Sequence, residues 1–224
     1  TVAKQNYDGR VANRFLKIVT ALILFKSMSK EPKYIVPKKF KSTAERLGDK
    51  VAMRHKKYGL WQEITWRQYY QESRILASGL YDLGVRKGDF VGIIGENGPE
   101  WVFIDMATQM LGATTVGIYA TNAWEQVQYV VNHADCKVLF AQDEDQVDKW
   151  LSFKDACPSL EKVVYWEDKG LATMEEPKLV RFNDLIESGG AALSKNKAAI
   201  DDLTDQIEED DTAILVYTSG TTGN

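Results

Sequence analysis

The sequence predicts an α/β protein: a mostly parallel sheet covered by helices, preceded by an N-terminal helical arm. Three observations carry that expectation. Between Asp89 and Trp166, short apolar runs of strand length alternate with segments of helical periodicity. Such alternation is how consecutive strand-helix-strand units read in sequence, and their right-handed crossovers lay helices over both faces of a parallel sheet. Helix-start signals follow the strands, as at Gly98-Pro99 and at Asn122 with Glu125. Finally, 44% hydrophobic and 11% aromatic residues in a chain of 224 suffice for a buried core.

The arm comes first. The chain begins with Thr1 rather than Met, which leads us to expect that residues ahead of it have been removed. Phe15 to Phe25 is an apolar run with one charge, Lys17, and is well short of the roughly twenty residues a spanning helix needs. Lys26, Lys30, Lys33, Lys38, Lys39 and Lys41 follow, against one acid, Glu31. An apolar helix beside clustered lysines fits an interfacial membrane anchor through 15–41; it equally fits a helix packed on the protein body with its lysines solvated. Pro32 and Pro37 predict an irregular linker.

Val51–Lys56, a turn around Tyr58-Gly59, and Trp61–Ile64 read as a hairpin. Thr65 with Gln68 is a capping box, so a helix starts at Trp66; Trp66, Tyr69, Tyr70, Leu76, Ala77, Leu80 and Leu83 share its buried face, and Gly84 stops it. Asp89–Ile94 is a strand, and a helix from Gly98-Pro99 carries Trp101, Ile104, Asp105 and Met110. Gly92, Gly95 and Gly98 lie three apart, whereas a dinucleotide fingerprint separates its first two glycines by one residue, so a nicotinamide or flavin site is excluded. Ala113–Tyr119 is a strand, and Asn122 with Glu125 caps a helix over Ala123–Ala134. Strand Lys137–Ala141, a helix near Glu144–Phe153 and strand Lys162–Trp166 complete the alternation. Asn183–Glu187 reads as a short helix, Gly189–Lys197 as a loop, and Asp201–Asp211 as a solvated acidic connector. Its carboxylates lack the glycine of a calcium loop.

The functional signal lies at the end. Ile214-Leu215-Val216-Tyr217 opens into Thr218-Ser219-Gly220-Thr221-Thr222-Gly223-Asn224. A buried strand entering a loop of hydroxyls and glycines suits an anion, because backbone N–H groups and hydroxyls can surround phosphate oxygens. A polar turn after an edge strand is the competing reading. Two rival motifs fail. A Walker A loop needs four residues between its glycines and then Lys, and only Thr221 and Thr222 separate Gly220 from Gly223. A nucleophile elbow needs glycines two positions either side of serine, where Ser219 has Tyr217 and Thr221.

Charge and rare residues exclude other classes. A net charge of −4 argues against nucleic acid as a partner. Cys136 and Cys157 are too few for a disulfide scaffold and lack metal-ligand spacing, which predicts a reducing compartment. His55 and His133 have no recognisable partner pattern and read as structural or surface residues.

The string Tyr217-Thr218-Ser219-Gly220-Thr221-Thr222-Gly223 resembles the signature loop of the adenylate-forming enzymes, the superfamily of acyl-CoA synthetases, luciferases and peptide-synthetase adenylation domains. Order and spacing extend the resemblance over roughly Phe40 to Asn224, and the whole looks like the N-terminal part of a long-chain fatty acyl-CoA synthetase. The resemblance implies an arm and linker at 1–40, and at 41–224 an incomplete N-terminal portion of the large AMP-binding domain that ends inside the phosphate loop. It implies that Thr218, Ser219, Gly220, Thr221, Thr222 and Gly223 bind ATP phosphates, with Mg2+ carried on ATP and CoA as the acyl acceptor. A fatty acid or other carboxylate would become acyl-AMP and then acyl-CoA.

No catalytic residue and no metal ligand are expected within this chain. The loop's Pro-Lys-Gly continuation, the later nucleotide motifs and the mobile C-terminal domain with its lysine would lie beyond Asn224, in the rest of a parent enzyme. The chain alone is therefore expected to be inactive. The resemblance also implies a cytoplasmic protein, peripheral on the cytoplasmic membrane face if the arm is an anchor. A non-catalytic relative acting as a membrane or partner module is the other reading, and the residues after Asn224 separate the two.

Overall fold

A computed structural model describes residues 34–218. The apolar run 15–25, Lys26, Lys30 and Lys33, and the loop residues Ser219, Gly220, Thr221, Thr222 and Gly223 lie outside the described residues.

Helix α1 spans Val36–Leu47 and buries Pro37, Phe40 and Ala44. Pro37, expected in an irregular linker, instead sits in the first helical turn, where a missing N–H costs nothing and the fixed φ favours the helix. Lys38, one of the clustered lysines, donates from Nζ to the carbonyls of Asp205 and Ile207 at 2.8 and 3.0 Å. Strands β1 (Val51–Lys57) and β2 (Leu60–Thr65) form the expected hairpin. Tyr58 and Gly59 both have positive φ, 51° and 81°, as a two-residue turn matched to strand twist requires.

Helix α2 (Trp66–Asp82) begins with the expected capping box: the Gln68 N–H donates to Thr65 Oγ1 at 3.2 Å, and the Thr65 N–H donates to Gln68 Oε1 at 2.9 Å. Then follow β3 (Phe90–Ile94), α3 (Pro99–Met110), β4 (Thr114–Ile118), α4 (Trp124–His133), β5 (Cys136–Ala141), α5 (Glu144–Leu151), β6 (Lys162–Tyr165), β7 (Leu179–Arg181), α6 (Phe182–Asp205) and β8 (Ile214–Val216). The short strand β7 carried no sequence signal that set it apart. Asn122 does not cap α4; the cap is Ala123, whose N–H is taken by the Gln126 side chain at 3.2 Å.

Six strands form one parallel sheet in the order β7-β6-β5-β3-β4-β8. Strand alternation sends side chains to two separate cores. Val91, Ile93, Val138, Phe140 and Val164 pack with α1, α2, α3 and α6. Ile94, Val116, Ile118, Leu139, Ala141, Val163 and Tyr165 pack with α4 and α5, around the fully buried Trp150.

Helix α6 corrects the sequence reading most. The expected short helix, loop and start of the acidic connector form one helix of 24 residues. Its buried positions Phe182, Leu185, Gly189, Asn196, Ile200 and Thr204 keep one face against the body. The glycines that suggested a loop instead permit close packing. A Cβ at Gly189 would lie 2.3 Å from the Ile75 carbonyl oxygen and 2.9 Å from the Gly79 nitrogen, so α2 and α6 nearly touch backbone to backbone. The acidic residues are paired as well as solvated: Asp201 meets Arg74 at 3.3 Å and Lys197 at 3.0 Å, and Asp211 meets Lys87 at 2.6 Å.

Candidate functional site

The site forms where β8 reaches the carboxyl edge of the parallel sheet. Ile214, Leu215 and Val216 pair with Thr115, Val116 and Gly117 of β4, and among the described residues β8 is an edge strand. Parallel strands all point their carboxyl ends to one side, and the loops there are where open α/β sheets place ligands. Thr218, the first of the expected phosphate-loop residues, follows directly and is exposed. Thr218 thus stands at the carboxyl edge of the sheet, and the remaining loop residues lie outside the described part.

Beside β8 lies a pocket of about 290 Å³ lined by Gly95, Glu96, Asn97, Trp101, Gly117, Ile118, Tyr119, Ala120, Thr121, Ile214 and Val216. Asn97 and Trp101 both belong to this wall. Gly117 lines it beside Trp101, and a Cβ there would stand 3.8 Å from the indole, in ordinary contact. Among the described residues no Lys or Arg lines the pocket, and Glu96 is its acid. Such a lining suits an uncharged or apolar group better than a polyphosphate. Ile214 and Val216 present their side chains to solvent here, at 43% and 60% exposure.

The neighbouring crevice between β3 and β5 is closed. A Cβ at Gly95 would meet the Trp166 indole at 2.6 Å and the Gln142 Cβ at 2.9 Å, so the indole lies directly on that glycine. Gln142 fastens the same edge: its Oε1 accepts from the Glu96 N–H at 2.7 Å, and its Nε2 donates to Glu167 Oε1 at 2.8 Å. Trp166 and Gln142 therefore fill the point where the β3 and β5 connections diverge, and the open volume lies on the β4 and β8 side.

At the root of the loop, Tyr217 turns toward α4. Its hydroxyl lies 2.7 Å from His133 Nδ1. Tyr129, one helical turn before His133, stacks on the imidazole with centroids 5.5 Å apart and planes at 26°. The Tyr217 ring stands edge-on to both, at 89° to Tyr129 and 90° to His133. Burial, with the nearby Cys136 and Tyr129 adding to it, raises the Tyr217 hydroxyl above its ordinary pKa. The phenol therefore stays protonated at neutral pH and can donate to the imidazole nitrogen. His133, read from the sequence as a structural or surface residue, is here held by a specific contact. Its partner is 84 positions away, and no local pattern signals it.

Among the described residues, no group of three or more His, Cys, Asp or Glu side chains could hold a metal ion, and no helix is long and apolar enough to cross a membrane.

A family model described as "AMP-binding enzyme" matches residues 40–224. The chain is 30% identical over 196 residues to the Xenopus laevis long-chain-fatty-acid–CoA ligase ACSBG2, covering 86% of this chain and 25% of that one. It is 30% identical over 217 residues to ACSBG1 of Rattus norvegicus, covering 97% and 28%. It thus spans about a quarter of the length of these curated relatives. Among solved structures, the anthranilate CoA ligase AuaEII in complex with anthranoyl-AMP matches with a TM-score of 0.62 at 24% identity, covering 71% of this chain and 29% of that one. Coronafacic acid ligase from Pectobacterium brasiliense matches at 0.59 and 17%, covering 69% and 29%. These likenesses speak to the fold, and it is the fold seen here, a parallel sheet with helices on both faces. With the family match running over residues 40–224, the chain belongs to the AMP-binding enzyme family, the adenylate-forming ligases.

Proposed function

We propose that residues 41–224 form the N-terminal portion of the large domain of an ATP-dependent ligase, one that activates a fatty acid as acyl-AMP and passes the acyl group to CoA. The observation that supports this reading best is that β8, which leads through Tyr217 to Thr218, ends at the carboxyl edge of the sheet beside an open and largely uncharged pocket. In this reading Thr218, Ser219, Gly220, Thr221, Thr222 and Gly223 hold the departing phosphates through hydroxyls and backbone N–H groups. The carboxylate attacks the α-phosphate in line, and positioning and charge neutralisation supply most of the acceleration. Mg2+ arrives on the ATP phosphates. The pocket beside Trp101 and Gly117 takes an uncharged part of a substrate rather than the triphosphate, since no cation among the described residues lines it.

The fatty-acid assignment rests on the named relatives, which are long-chain-fatty-acid–CoA ligases. We propose further that residues 1–224 by themselves complete neither half-reaction, since the resemblance implies a loop lysine and later nucleotide contacts that this segment does not contain. Acyl-dependent exchange of labelled pyrophosphate into ATP tests the reading, using the full-length protein that carries this segment and long-chain, short-chain and aromatic acids. Exchange with long-chain acids alone supports it; a folded protein with an intact loop that exchanges with no acid refutes it. Acyl-CoA formation by the 224-residue chain itself would refute the inactivity of the segment.

A further inference from the structure

We infer that His133, held in orientation by Tyr129, is a positioning residue for the phosphate loop: through the Tyr217 hydroxyl it sets the point at which the loop leaves the sheet. The inference rests on the ATP-ligase reading for its ligand, and on the geometry of α4 and β8 for its mechanism.

The ladder that pairs β8 with β4 runs over Ile214–Val216, and donors to a phosphate must be held within about 0.5 Å of their productive positions. The ladder ends at Val216, and Tyr217 is the next residue. There the side chain crosses to the α4 face, packs against that core and makes a 2.7 Å hydrogen bond to His133 Nδ1. The imidazole cannot swivel freely, because Tyr129 stacks on it from the same helix face while Tyr217 meets it edge-on. Helix α4 is anchored in turn by Val127, Val130 and Val131, all buried in the core beneath. A rigid helix thus grips the residue immediately before Thr218, and shifting Tyr217 would shift the first hydroxyl of the loop with it.

The test compares full-length protein carrying His133→Ala, His133→Asn, Tyr217→Phe and the double variant His133→Ala/Tyr217→Phe. Three quantities are read: equilibrium ATP affinity, KM for ATP and for acid in pyrophosphate exchange, and the thermal midpoint. His133→Ala and Tyr217→Phe each weaken ATP binding and raise KM for ATP roughly five-fold, the effect of one net hydrogen bond. KM for acid and the thermal midpoint stay near wild type. The double variant is no worse than either single, because both remove the same contact. His133→Asn, whose amide can occupy the Nδ1 position, recovers most of the loss.

Unchanged ATP affinity in both single variants, additive losses, or a fall in thermal midpoint with ATP affinity intact would each overturn the inference. Wild-type protein that binds ATP but exchanges with no acid would sink the ligase reading alone, and the variants' ATP affinities would still decide the positioning role. Wild-type protein that does not bind ATP would overturn both.

Discussion

Gly189 and Gly190 are adjacent in α6, share one local sequence and should respond oppositely to the same substitution. Replacing a helical glycine by alanine gains about 1 kcal/mol from reduced unfolded-state entropy and better helix propensity. At Gly190 that gain stands alone, since the nearest atom to an added Cβ is the Ile75 Cγ2 at 3.9 Å, ordinary contact. At Gly189 the added methyl would sit 2.3 Å from the Ile75 carbonyl oxygen and 3.2 Å from the Gly79 Cα, backbone atoms that cannot rotate away. Relief requires α2 and α6 to separate, and Leu185 also packs tightly on Gly79 across the same crossing, with a hypothetical Gly79 Cβ 2.8 Å from its Cδ1. Overpacking of this kind costs about 3 kcal/mol, the upper end of the usual range, so Gly189→Ala should lose about 2 kcal/mol net. For a chain of this size the midpoint falls by about 4–8 °C, while Gly190→Ala raises it by about 2–4 °C. Circular dichroism during thermal and urea unfolding reads both. Equal or greater stability in Gly189→Ala, or a loss in Gly190→Ala, would show that α6 does not cross α2 at Gly189 and would undo the reasoning.

Three further outcomes are expected. Thr65→Ala removes the acceptor for the Gln68 N–H and should cost about 1 kcal/mol in urea unfolding, with Thr65→Ser recovering most of it. Asp105 on α3 has its carboxyl pKa raised by burial, against a hydrogen bond from Gln109 that lowers it. A raised folded-state pKa contributes stability that is complete below the unfolded value and lost as pH rises through the folded one, so Asp105→Asn should be more stable than wild type at neutral pH, with the advantage vanishing below about pH 4. An advantage that persists at acid pH would point to packing rather than ionisation. Both thiols are buried, and desolvation pushes Cys136 up to about 12 and raises Cys157 as well. A thiol-disulfide reagent should therefore label neither in native protein and both in urea; rapid native labelling would mean the α4 and α5 core is open.

Local chemistry was enough to read the elements whose signals are short-range. The Thr65 and Gln68 box, the Tyr58-Gly59 turn and the proline at the start of α3 all appear where their residues placed them, because each is decided within four positions of chain. The same locality misled at α6. Gly189, Gly190 and Ser194 look like a loop to any reading that weighs propensity, and they become helix only because α2 offers a glycine to pack against. Pro37 misled in the same way, as a breaker that is harmless in a first turn.

For the candidate site, the sequence by itself supplied the expectation of a phosphate loop: the run Tyr217–Gly223, the apolar strand that leads into it, and the exclusion of a Walker loop and a nucleophile elbow. Only the tertiary structure decided that β8 lies beside β4 at the sheet edge, that Trp166 closes the crevice over Gly95 while the pocket beside Gly117 stays open, and that His133 meets Tyr217. Strand order and the pairing of distant side chains depend on which surfaces meet after the chain has crossed the sheet several times. No residue carries that information within its own few neighbours, because the free energy that selects it comes from burying whole faces together.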